Sequence, residues 1–335
     1  MRAFVCLVVF LPRLEDSYVV VVVVVVSCLH GADVLQGFHS IISHSKLKDS
    51  LSPTLKFAAL TAALVHDIGH PGRNNKFLID SKKTRTDIVV VVAISEVSVF
   101  LNVVVLLILI VLLLLLLLQL FNTLASHDIA IRYNDRSVLE NFHIASALDI
   151  SKRNECNIFA NMKDKDAAYK EIRLTWIDLI LDTDMARHFS VVKELDAKLK
   201  KAADNGTVYC CSDQSHQTFT LSVLLHCCDL GNPTKSWDTY QTWTSRVMEE
   251  FHSQAEVEVE AGRPPSMPRN DANFNLGKFQ QGFLRFIRPF FVSVTIIDGV
   301  NLTELISNLD KNLVTWKEKE AKEAEAEAGK EVGTK

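Results

Sequence analysis

The chain has no excess of basic residues. Its 36 Lys and Arg against 40 Asp and Glu give a net charge of −4, which offers no footprint for a nucleic-acid polymer as partner. It also lacks any Cys-x-x-Cys pair; the seven cysteines include the adjacent pairs Cys210-Cys211 and Cys227-Cys228 and read as reduced thiols of a cytoplasmic protein. Arg2 and a short apolar patch open the sequence, but no small-residue cleavage site follows Phe10, so a secretory leader is not expected. Runs long enough to cross a bilayer are scarce. Phe4 to Leu11 and Val19 to Val26 fall short and are split by Pro12-Arg13-Leu14-Glu15-Asp16, whereas Ile88 to Phe121 contains a stretch near the roughly 20 residues of a membrane helix. The apolar content of 48% is inflated by these valine and leucine runs.

What the chain does have is metal-ligand chemistry set in apolar helices. The run Ala58 to Val65 reads as a buried helix ended by Pro71-Gly72, and it leads into His66-Asp67-Ile68-Gly69-His70. On a helix His70 would lie one turn above His66, with Asp67 beside both. An imidazole next to a carboxylate suits divalent metals, and the carboxylate can bridge two ions about 3.5–4 Å apart. His30 offers a further ligand on a helix running through Phe38 and Ile41. Asp184 and His188 stand at i, i+4 next to Thr183, in a turn able to hold metal-bound waters, and His226 and Asp229 stand at i, i+3 before Gly231-Asn232-Pro233. Burying so many titratable groups costs free energy unless they are paired or bound to metal. Read from periodicity alone, Phe279, Phe283, Phe286 and Phe290 are a core stripe with Gln280 at its polar margin.

In order, His30 to Val34, His66 to Asn75, Tyr133 to Asn141, Thr183 to Phe189, His226 to Lys235 and Gln280 to Phe283 resemble the motif series of the class I 3′,5′-cyclic-nucleotide phosphodiesterases. The match covers most of residues 28–87 and 128–316. The resemblance implies an all-α, multi-helix HD-type bundle, with the N-terminal helices of the family fold missing here. It implies a zinc site of His30, His66, Asp67 and Asp229, with Asp67 also touching a second ion, magnesium or manganese, that keeps most of its waters. His70, Glu140, His143 and Thr183 match groups that orient those waters. Gln280 would read the purine edge and Phe283 would stack on its face, while Asn232 tilts the preference toward cAMP over cGMP. The implied reaction is hydrolysis of the cyclic nucleotide to the 5′-monophosphate, by a hydroxide bridging the two ions, with the sugar 3′ oxygen leaving.

Departures from that pattern qualify it. Relatives carry Tyr-His-Asn four residues before the ligand His, and that first His protonates the leaving oxygen; here the position is Val26. A positioned general acid contributes roughly 100- to 10,000-fold in rate, and valine cannot donate a proton. Phe142 replaces one histidine of Glu-Asn-His-His, and Gly31 replaces a helical Ala at a cost of up to about 1 kcal/mol. The valine run is a poor helix former where the family needs helix, so it reads as a mistranslated repeat or as the mark of a disabled enzyme.

Three parts are expected: a truncated, low-complexity segment at 1–27, a catalytic domain at 28–316 interrupted by an apolar insertion at 88–127, and a charged Lys/Glu/Ala tail at 317–335, helical or disordered. A single crossing by 88–121 would divide the ligands of one site between the two faces of a membrane. The insertion is read as a retained intron, with a lipid-contacting hairpin, and hence membrane association, as the runner-up. Helical periodicity runs through Ile172–Leu199, Ser236–Gln254 and Leu276–Phe291, and Gly262 to Pro268 is an irregular loop near the substrate entrance. Two other functions stay open: a cyclic-nucleotide-binding pseudoenzyme, favoured by Val26, and an HD-type phosphohydrolase of other nucleotides, which would not need Gln280 with Phe283. The oligomeric state is not written in the sequence.

Overall fold

In the computed structural model, residues 18–80, 128–153, 156–160, 165–270 and 274–332 are described. Their main elements are helices: α1 (Tyr18–Ser43), α2 (Pro53–Val65), α3 (Asn75–Asp80), α4 (Val138–Ser151), α5 (Lys165–Leu181), α6 (His188–Asp204), α7 (Gln214–Asp229), α8 (Trp237–Glu260), α9 (Leu276–Val294) and α10 (Thr303–Val332), with a single turn of helix at Leu47–Ser50. No strand occurs among the described residues beyond one isolated bridge between Cys210 and Asp298. The all-α expectation holds. Helix α1 continues through the valine run, but the side chains of 18–27, Val26 among them, and all of the apolar segment 88–127 lie outside the described residues. No helix among the described residues is long and apolar enough to cross a membrane.

The bundle is organised on α2, which lies against α1 and α5, while α7 packs on α1 and α5 from another side. Small side chains make this closeness workable: Ala58, Ala59, Ala62 and Ala63 of α2 are buried against Phe38 and Ile42 of α1 and Trp176, Leu179 and Ile180 of α5 in one core. Trp176 satisfies its indole N–H on the Ala58 carbonyl at 3.1 Å. Ser52 starts α2 by accepting the Leu55 N–H at 3.0 Å, and Pro53 occupies the first turn, where its missing N–H costs nothing. A smaller cluster joins α3 to α4 through Phe77, Leu78, Ala130, Val138 and Leu139.

Two sequence expectations need correction. Helix α2 ends at Val65, so His66 is its C-cap and His70 does not stand a helical turn above it. Gly69, at φ +72°, takes the chain out of helical geometry between the two histidines. The periodicity over Ile172–Leu199 belongs to two helices, α5 and α6, because Asp184 accepts the Ala186 N–H at 2.9 Å and begins a new turn. Of the two readings for the charged tail, the helical one is realised through Val332.

Gly31 proves to be more than a weak helix residue. A Cβ there would stand 2.7 Å from the Leu64 carbonyl oxygen, so glycine lets α1 approach the end of α2 where His66 begins.

Candidate metal centre and base pocket

Three ligand atoms converge where α1, α2 and α7 meet. His30, His66 and Asp229 each offer one atom within 4.8 Å of the others. His30 Nε2 donates to Asp229 Oδ1 at 2.9 Å, and His66 Nε2 comes within 3.3 Å of the same oxygen. The two imidazoles meet edge to face, 5.1 Å between centroids, and Trp243 closes on His30 at 5.7 Å.

The tautomer of His66 makes this arrangement informative. Its Nδ1–H donates to the Ala63 carbonyl at 2.9 Å, which leaves a lone pair on Nε2. That nitrogen is buried and has no hydrogen-bond partner. In the neutral ring that lone pair would face the carboxylate at 3.3 Å, so the geometry calls for a proton or a metal cation between them. Burial resists a proton there, but the Asp229 carboxylate outweighs it and raises His66 to about 9. Burial likewise resists charge on Asp229, and His30 and His66 hold it well below the usual carboxylate range. A divalent metal answers the same need with more charge, and two imidazoles with one carboxylate is a donor set that suits zinc. The residues fit the ion.

Asp67, the fourth sequence-predicted ligand, is not in that three-residue group. Its Oδ1 lies 3.5 Å from His143 Nε2, and burial that would oppose its ionisation is outweighed by His70, His66, His143 and His30, which lower it to about 2. His143 repeats the device of His66: Nδ1–H donates to the Ile68 carbonyl at 2.7 Å, so Nε2 faces Asp67. Burial keeps this ring neutral, lowering it to about 4 against the pull of Asp67. His70 stacks on His143 at 5.8 Å and accepts the Gly72 N–H at 3.1 Å. Phe142 fills the space beside Gly69, where a Cβ would come within 3.1 Å of its ring.

Glu140, in the first turn of α4, and Thr183, in the turn after α5, come from two elements tied together. Ser137, at φ +43° ahead of α4, donates to Asp184 Oδ2 at 2.7 Å and so ties the start of α4 to the turn after α5. Glu140 accepts from Asn75 Nδ2 at 3.0 Å; burial first, and then the Asp184 charge, push its carboxyl up to about 7. Thr183 is buried and donates to the Ile180 carbonyl at 2.8 Å. His188 and His226 do not join the cluster. They pair with each other, Nδ1 to Nε2 at 2.9 Å, among Phe286 and Phe290, so neither the Asp184/His188 nor the His226/Asp229 spacing makes a joint ligand pair.

The residues expected to hold the base lie on α9. Gln280 is buried, and its Oε1 accepts the Tyr240 O–H at 2.7 Å; Phe283 is half-buried one turn on. The phenylalanine stripe is only partly core, since Phe290 is 1% exposed and Phe286 38%. Asn232 sits half-buried in the turn Asn232–Thr234, which Asn312 of α10 holds by donating to the Pro233 and Lys235 carbonyls at 2.8 and 2.9 Å. Lys235 pairs with Asp33 at 2.8 Å, joining two of the sequence motifs. Tyr240 and Asn312 escaped the sequence reading, since each acts on a residue far along the chain and no local spacing marks it; Asn75 closes the His66 to Asn75 motif, but its bonds to Glu140 and Leu139 are not legible there.

The sequence profile described as 3′5′-cyclic nucleotide phosphodiesterase matches residues 27–89 and 118–309. Isoform F of the Drosophila melanogaster 3′,5′-cyclic-AMP phosphodiesterase is 30% identical over 306 residues, 90% of this chain and 39% of that protein; isoforms N/G show the same identity over 26% of their length. The chain thus spans well under half of these relatives. The phosphodiesterase domain of the Salpingoeca rosetta rhodopsin phosphodiesterase superposes with a TM-score of 0.66 at 25% identity, covering 90% of this chain and 76% of that one.

Proposed function

Because the chain belongs to the 3′5′-cyclic nucleotide phosphodiesterase family, we propose that it is a phosphodiesterase that opens a 3′,5′-cyclic nucleotide, cAMP in preference to cGMP, to the 5′-monophosphate. The observation that carries the reading is the buried, unpartnered Nε2 of His66 turned toward Asp229 and His30. His30, His66, Asp67 and Asp229 would hold Zn2+, and Asp67 would reach a second ion, Mg2+ or Mn2+. Bound there, the ions would supply charge neutralisation on the phosphoryl oxygens and a nucleophile at neutral pH.

The protein's own groups do the rest. His143, kept neutral and held by Ile68, presents an acceptor beside Asp67, and Glu140, His70 and Thr183 would orient water at a second ion. Tyr240 fixes the Gln280 amide, so that its NH2 group is directed to the purine edge while Phe283 takes the base face. A proton for the leaving oxygen has no donor at Val26. That substitution is the specific ground for a second reading, a cyclic-nucleotide-binding pseudoenzyme. An HD-type enzyme for other nucleotides is disfavoured by the Tyr240-anchored Gln280.

Residues 88–127 are proposed to be an insertion between elements that adjoin. Phe77 and Leu78 before it pack on Ala130, Val138 and Leu139 after it, and the profile match is interrupted between 89 and 118. The six described cysteines are free thiols, in keeping with a cytoplasmic enzyme. The deciding experiment is metal analysis together with cAMP and cGMP turnover on the purified chain. The phosphodiesterase reading expects about one tightly held transition metal and measurable hydrolysis; nucleotide binding with no turnover selects the pseudoenzyme, and no metal rejects both.

A further inference from the structure

Beyond the ligands, the last turns of α8 bury two polar side chains that the chemistry above does not use, Gln254 at 2% exposure and Glu258 at 3%. A buried carboxylate is costly unless its oxygens are hydrogen-bonded. Both oxygens of Glu258 are taken by one residue of the following loop: Ser266 donates its hydroxyl to Oε1 at 2.6 Å and its backbone N–H to Oε2. Gln254 Nε2 donates to the same Oε1 at 3.2 Å and to the Ser266 hydroxyl at 2.8 Å. Its Oε1 reaches the other way and accepts the Asn74 N–H at 2.8 Å. Asn74 caps α3 by accepting the Phe77 N–H at 2.8 Å. Asn75 then donates to Glu140 at 3.0 Å and accepts the Leu139 N–H at 2.8 Å. The guanidiniums of Arg73 and Arg263, one from each loop, both lie over the Phe77 ring, at 5.5 and 4.9 Å.

We propose that Gln254 and Glu258 are positioning residues that lock the 262–268 loop onto the 72–75 turn and, through Asn75, fix the Glu140 carboxylate at the metal centre. The inference rests on the metal reading above and adds residues that touch no ligand of it. A clamp of purely structural value would move stability alone. A positioning pair moves the affinity of the more weakly held ion while the tight site stays filled.

The test uses the full chain loaded with one equivalent of Zn2+ and titrated with Mn2+ by electron paramagnetic resonance. Glu258→Gln is expected to retain its zinc and to bind Mn2+ at least about 10-fold more weakly, the usual cost of disturbing groups that orient metal ligands. Amide hydrogen exchange in the metal-free protein is expected to quicken at Asn74 and Leu139 and to stay unchanged at Leu179 and Ile180. Adding Glu258→Gln to Asn75→Ala should weaken Mn2+ no further. Ser266→Ala, a milder variant at the loop, should give the same shift if Glu258→Gln does not fold. Unchanged Mn2+ affinity in a folded variant, or additive losses in the double variant, overturns the proposal. A wild-type chain that takes up neither metal fails the metal reading and this inference with it, whereas a loaded wild type with indifferent variants overturns the inference alone.

Discussion

At the candidate metal centre His66 Nε2 faces Asp229 Oδ1 at 3.3 Å, whereas at the candidate base site the Gln280 oxygen already accepts a 2.7 Å bond from Tyr240. One group of donors is balanced by a cation, a proton on His66 or a metal; the other already carries its hydrogen bond. The contrast separates two tasks. A cation site has to leave donor atoms unsatisfied, at a cost that binding repays, while a recognition pocket gains by fixing its amide before the base arrives.

The strongest way to break the comparison is Asp229→Ala, which removes the carboxylate both histidines face. It should empty the tight site outright and abolish hydrolysis; metal analysis showing full occupancy would refute the ligand assignment. Next comes Val26→His, with Tyr and Asn restored around it. The chain as written should turn over at least roughly 100-fold more slowly than an intact relative, and the variant should recover part of that. A wild-type rate equal to that of relatives would show that another group donates the proton.

On the pocket side, Tyr240→Phe leaves the buried Gln280 oxygen without its donor, at about 1–3 kcal/mol. Discrimination between cAMP and cGMP should narrow while zinc content is unchanged, and paired KM measurements read this directly. Gly31→Ala tests the cage from outside: its Cβ meets the Leu64 carbonyl at 2.7 Å and must push α1 from α2. We expect a loss of about 1–3 kcal/mol in denaturant unfolding, as for other overpacking, with weaker zinc binding. Deleting residues 88–127 should have the smallest effect on the site, leaving zinc content intact and raising solubility. Loss of metal on that deletion would make the segment structural.

Much of the site was legible because its signals are local. His66-Asp67 and the chain order of the motifs mark the candidate ligands, and apolar spacing marks the helices around them. The illegible part is long-range. Nothing near Gly31 says that the Leu64 carbonyl lies against it, so a residue that reads as a weak helix former is in fact a spacer. Nothing near Gln280 points to Tyr240, 40 positions earlier. The helical reading of His66 and His70 failed for a different reason: the apolar run set the expected helix, which ends at Val65, and the positive φ of Gly69 then turns the chain away before His70.

His30 and Asp229 touch across 199 positions of sequence. Their contact therefore works as a clasp on the chain's topology. It can close only after α1, α2 and α7 have found one another, so it belongs to the late, non-local contacts that slow folding. An ion seated there would fasten the clasp in the native state alone and draw the folding equilibrium toward it by mass action. Chelation should then be felt as an earlier, less cooperative unfolding of the bundle as well as a loss of chemistry.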